Sequence, residues 1–216
     1  MNNIINLLMM SLSNLNALKK TLLFALVIFI PVTIFNPIML NMLIGVIVFN
    51  LAYQVMAYED MNGIDYLISY MPVTRKEYVA SRYLLGIVMT FIASTVFIFC
   101  YYFATKYPPV RDQLVDYKLT LGIGVTTAIG GFSLITPCIL KFGSVKGRML
   151  STFLMIFIVM TPAFILGAIK EKEMFMDIII KLNNLNMTVV FLLVNIVVLL
   201  ISYIVSKNIY TKKEIL

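Results

Sequence analysis

The chain has no histidine and no tryptophan, and only 12% of its residues are charged. Without histidine there is no Ser–His catalytic pair and no imidazole to ligate a metal. Two cysteines, Cys100 and Cys138, stand far apart inside apolar stretches. They form no pair at zinc-ligand spacing and read as small buried hydrophobes. No Gly-x-x-x-x-Gly-Lys-Ser/Thr occurs, so the chain lacks a P-loop for nucleotide phosphates. Ser/Gly/Pro linkers, low-complexity tracts and repeats are absent as well, which leaves one domain over 1–216. A cleavable signal peptide is not expected, because the first basic residues are Lys19 and Lys20 and no small-x-small site follows Pro31.

What is present is apolar. Of 216 residues 61% are hydrophobic, where an ordinary soluble domain has about half. Water cannot host that much apolar surface, whereas a lipid bilayer can. The net charge is +7. Its Lys and Arg sit in short breaks between apolar runs, not on one polar face as nucleic acid binding requires, so they read as a topology signal.

A spanning helix needs about 20 mostly apolar residues. The uncharged runs predict an all-α membrane protein with six spans, at about 21–35, 38–57, 83–105, 119–140, 149–169 and 186–206. Asn36-Pro37 divides the first two, since Pro lacks an N–H and biases its predecessor away from helix. Six spans place both termini on one side. That side holds Lys19, Lys20, Arg75, Lys76, Arg82, Lys141, Lys146, Arg148, Lys207, Lys212 and Lys213. The other holds Lys106, Arg111, Lys118, Lys170, Lys172 and Lys181. Lys and Arg favour the cytoplasmic face, so the expected location is the cell membrane with both termini inside. In 1–18, Ile5, Leu8, Leu12 and Leu15 recur at helical spacing among Asn and Ser. That pattern predicts an amphipathic helix in the interface, or else a ragged first turn of span one.

The break after span two carries the most information. Glu59 and Asp60 mark the exit from the bilayer. Ile64, Leu67, Ile68 and Met71 then fall at i, i+3, i+4 and i+7, one stripe of a short helix over about 62–71. Pro72 ends it, and Thr74-x-x-Glu77 is a capping box for the next helix. The stripe lies either on lipid head groups or in a protein groove. Its flanking Glu59, Asp60 and Asp65 suit an anionic leaflet poorly, which favours the groove.

Ile68-Ser69-Tyr70-Met71-Pro72-Val73-Thr74-Arg75-Lys76-Glu77 resembles the segment of small ABC-2-type permeases written leucine-leucine-x-serine-leucine-proline-valine-serine-arginine-x-x-isoleucine. Tyr70 and Thr74 stand where that pattern commonly has leucine and serine. The loop Lys141-Phe142-Gly143-Ser144-Val145-Lys146-Gly147-Arg148 resembles the family's short break between spans four and five. More narrowly, size and plan resemble the permease of exporters for amphipathic peptide toxins. The resemblance implies a coupling helix that docks in a cleft of a separate ABC ATP-binding subunit. Asn62, Ile64, Asp65, Leu67, Ile68, Ser69, Met71, Pro72 and Arg75 would make that contact. Gly143, Lys146 and Arg148 would either join it or only fix topology. It also implies a second permease copy or paralogue. No cofactor is expected on this chain, ATP and magnesium belonging to the partner ATPase.

No acidic or basic residue lies inside the six runs, whereas ion-coupled carriers usually keep one at mid-membrane. That favours an ATP-driven exporter of hydrophobic or amphipathic cargo over the alternative, a secondary carrier or channel. Asn41, Asn50, Gln54 and Asn195 would line a path, or hydrogen-bond between helices. Gly122, Thr126 and Gly130 repeat every four residues and predict a packing face.

Overall fold

The computed structural model describes residues 2–171 and 187–213, and among them the regular structure is helical, with no strand. In hydrocarbon every backbone N–H and C=O must be satisfied within the segment, which a helix achieves. Lys172, Lys181 and the expected start of the last span at 186 lie outside the described residues, as do the side chains of Lys146 and Arg148.

Helix α1 runs unbroken over Asn2–Phe35. A separate interfacial helix over 1–18 is therefore not seen: the chain makes no turn near Lys19 and Lys20. The physical reason is lateral support. A helix α4, Arg75–Thr105, runs beside α1 in the same direction along its length. Asn3 bonds Glu77, Ser11 bonds Arg82, and the rings of Phe35 and Tyr107, just beyond α4, meet edge to face at 5.2 Å. Residues 2–18 contain no Gly or Pro to interrupt them. At 1.5 Å per residue α1 is about 51 Å long, against a hydrocarbon core of about 30 Å. Its polar half stands up beside the start of α4 instead of lying flat.

The expected corner at Asn36-Pro37 forms. Asn36 is extended, and its side chain accepts from the backbone N–H groups of Ile38 and Met39. Pro37 opens helix α2, Pro37–Met61, where its missing N–H costs nothing. A single π-helical stretch, Phe49–Tyr53, interrupts α2 and stacks the rings of those two residues 4.8 Å apart. Helix α3 is Ile64–Tyr70; α4 follows, then the short α5, Pro108–Arg111, and α6, Tyr117–Gly143. Gly143 takes φ 74°, ψ 169°, a conformation open to glycine alone at low cost. Helix α7, residues 144–171, leaves directly from it, so the polar loop expected over 141–148 is a one-residue corner. Pro137 and Pro162 sit inside α6 and α7 without ending them. Helix α8 is Met187–Thr211.

Among the described residues, four helices are long and apolar enough to cross a membrane: α2, α4, α6 and the Thr188–Thr211 part of α8. Leu26–Phe35 is a shorter apolar stretch. The core lies among α2, α4 and α6, where Leu40, Leu43, Ile44, Leu85, Met89, Phe97 and Phe132 are buried. Glycines set the close approaches. A Cβ at Gly86 would sit 2.4 Å from the Phe132 ring, one at Gly122 2.5 Å from Phe191, and one at Gly124 2.9 Å from Ile44. Gly130 faces nothing within 4 Å. The predicted small-residue face thus packs at Gly122 but not at Gly130.

Candidate functional site: the terminal face of the bundle

Both ends of the chain meet at the start of α4. Asn3 of α1 bonds Glu77, and Arg75 donates to the carbonyls of Thr211 and Lys213 at 3.0 and 2.7 Å. This face carries α3. It begins at Gly63, whose φ of 66° is left-handed, and ends at Met71, which is extended. Thr74 then starts α4 through the expected capping box, its hydroxyl accepting from the Glu77 N–H while Glu77 accepts from the Thr74 N–H.

Helical spacing gives α3 two faces. Ile64, Asp65 and Ile68 share one, since Ile68 lies four residues from Ile64 and three from Asp65. Ile68 is 3% exposed and belongs to the core. Asp65 accepts from the Tyr210 hydroxyl at 2.8 Å and from Lys213 at 2.7 Å. Tyr66, Leu67, Tyr70 and Met71 share the other face, all exposed, Tyr70 to 88%. Met61 is exposed beside them. The stripe of Ile64, Leu67, Ile68 and Met71 is thereby split. Ile68, Asp65 and Arg75, all expected to contact a partner, are engaged by this chain's own core and C-terminal end. Ile64 is partly buried against the core. Asn62, Ser69 and Pro72 are exposed, the first two bonding the carbonyls of Tyr58 and Tyr66. The two tyrosines were missed because a stripe counted on aliphatics treats Tyr as polar.

Beneath α3 lies a group that sequence reading did not find. Arg82 and Glu59 form an ion pair with both side chains at most 2% exposed. Glu59 also accepts from Asn14 at 2.9 Å. Arg82 donates to Ser11 at 3.0 Å and to the Tyr78 hydroxyl at 2.7 Å, and its guanidinium lies 4.4 Å from the Tyr78 ring centre. These contacts bolt α1, α2 and α4 together. Each charge sits one or two residues outside an apolar run, which is the only trace they leave in the sequence. The second corner is close by: a Cβ on Gly143 would lie 3.3 Å from the Asp60 carboxylate.

A family model described as ABC-2 family transporter protein matches residues 6–211. The chain belongs to the ABC-2 transporter family. It is a multi-pass membrane protein of that family, whose members serve as the membrane components of ABC transporters. No curated protein and no solved structure matches this ABC-2 chain, so the narrower likeness to toxin-peptide exporters gains no support.

Of the polar residues expected along a path, this ABC-2 protein carries Asn41, Asn50 and Gln54 on α2 and Asn195 on α8. Asn50 donates to the Val46 carbonyl at 2.9 Å, and Gln54 to Asn50 at 3.1 Å. Both bonds stay inside α2 and bridge its π-helical stretch. Asn41 is half-buried on the same helix. Asn195 is buried on α8, and its Oδ1 has no hydrogen-bond partner among the described residues. What α2 and α6 do form is a small, open apolar cleft between Gly45, Ala52 and Tyr53 on one side and Ala128, Gly131 and Ile135 on the other.

Proposed function

We propose that this ABC-2 chain is the permease subunit of a bacterial exporter, driven by a separate ATP-binding subunit that docks on α3. The observation that carries the reading is the outward face of α3. Tyr66, Leu67, Tyr70 and Met71 stand exposed on a helix whose other face is fastened to the bundle. Aromatic and Met side chains are what buried interface centres favour. A mount of this kind can receive a push without being torn loose.

In this reading the bundle has six spans with both termini cytoplasmic, and the shared end of α1 and α8 supports the even count. ATP and magnesium bind the partner. Two permeases, identical or paralogous, pair in the bilayer, and α3 passes the partner's closure to α2 and α4. Cargo is hydrophobic or amphipathic, matching a cleft between α2 and α6 that is almost wholly apolar. Amphipathic peptides fit this description.

Affinity purification of the tagged chain from its native membrane tests the proposal. A P-loop ATPase should co-purify, and Leu67→Asp or Tyr70→Asp should release it while the chain stays monodisperse. Ile68→Asp is a poor probe, because it buries a charge in the core. Retention of the ATPase by both outward variants would overturn the docking site, and transport persisting without ATP would indicate a carrier.

A further inference from the structure

We infer that Asp65 and Arg75 make α8 the span that follows α3, so that motion delivered to α3 is relayed to the last helix of the chain. This rests on the docking reading above, but its own support is separate.

The last carbonyls of a helix have no partner within it. Arg75 supplies one for the end of α8, reaching the carbonyls of Thr211 and Lys213 with a cation placed favourably for the helix dipole. Asp65 holds the same end from the other side through Tyr210 and Lys213. Tyr210 is fully buried, and its ring lies 5.0 Å from that of Tyr78. The end of α8 is thus gripped by the residues that begin α3 and α4, between which lies the outward face.

Along its length α8 packs against α6 and α4 on one side and leaves most of its apolar surface open. Only 11% of its most apolar stretch is buried, against 50% in α2, 44% in α4 and 56% in α6. Tilting a central helix would break close packing, which costs heavily. A peripheral helix sweeps through lipid instead, where its apolar face loses little. Among the described residues its deeper polar contacts gather on α4 and α6. The Tyr83 hydroxyl meets Ser202 and Ser206, Ser202 donates to the Ser133 carbonyl, and Phe191 rests on Gly122. Asp65 and Arg75 are positioning residues in this scheme, acting through Tyr210 and the α8 carbonyls.

Spin-label distances test it on the full chain with its ATP-binding subunit in lipid nanodiscs. With Cys100 and Cys138 replaced by Ala, labels go to Phe91→Cys on α4 and Ile204→Cys on α8. ATP with orthovanadate should shift their separation by about 2 Å or more, the size of ordinary helix displacements. Asp65→Asn and the milder Tyr210→Phe should each cut that shift at least twofold while the ATPase stays bound. Equal shifts in all three proteins, or none in the parent with the ATPase bound, would overturn the relay. If no ATPase binds the parent, the docking reading fails instead. The tie is then judged on the chain alone, with labels at Tyr70→Cys and Asn208→Cys. A distance distribution broadened by Asp65→Asn upholds the tie, and an unchanged one overturns it.

Discussion

Arg82 and Glu59 pair in the dry interior where α1, α2 and α4 converge, and neither side chain is more than 2% exposed. Removing one member strands a buried charge, at a cost of about 3–5 kcal/mol. Arg82→Met and Glu59→Gln should therefore each lower the unfolding temperature in detergent strongly. The double variant should cost clearly less than their sum, and additive losses would show that the two residues act independently.

Glycines between helices differ in what they tolerate. Gly86→Val drives a side chain into Phe132, and overpacking of this kind costs about 1–3 kcal/mol. Gly130→Ala meets open space and should be neutral or stabilise by up to about 1 kcal/mol, from the better helix propensity of Ala. Thermal unfolding of the two variants should separate in opposite directions or, at the least, by several degrees.

The start of α4 depends on the Thr74–Glu77 box. Thr74→Ala should cost about 1 kcal/mol and raise amide exchange over the first turn of α4, leaving its apolar stretch protected.

Orientation is open to labelling in intact cells. A cysteine at Asp112, beyond the far end of α4, should react with an impermeant maleimide from outside. One at Lys76, beside both chain ends, should react only after permeabilisation. Reversed reactivity would invert the topology.

Much of this fold is legible in the sequence because its signals are local. The Asn36-Pro37 corner, the Thr74–Glu77 cap and the short helix expected over about 62–71, which forms over Ile64–Tyr70, each depend on residues within about eight positions of one another. The apolar runs mark α2, α4, α6 and α8 for the same reason. The rest is non-local. Nothing near Lys19 announces that α4, some seventy positions on, will hold α1 straight. The partner of Asp65 is Tyr210, 145 residues away, so its carboxylate reads as a surface charge. Glu59 and Arg82 read as boundary markers, because periodicity cannot reveal that two boundary charges meet. The division of α3 into inward and outward faces follows from those distant contacts, and so does the correction at Ile68.

The most direct measurement is photo-cross-linking from Tyr70, the most exposed large side chain on α3. Benzoylphenylalanine at that position, in the native membrane, should capture a P-loop ATPase as its main protein adduct, and Leu67→Asp in the same chain should abolish the adduct. Cross-links to lipid or to this chain alone, with no ATPase at any yield, would contradict the account.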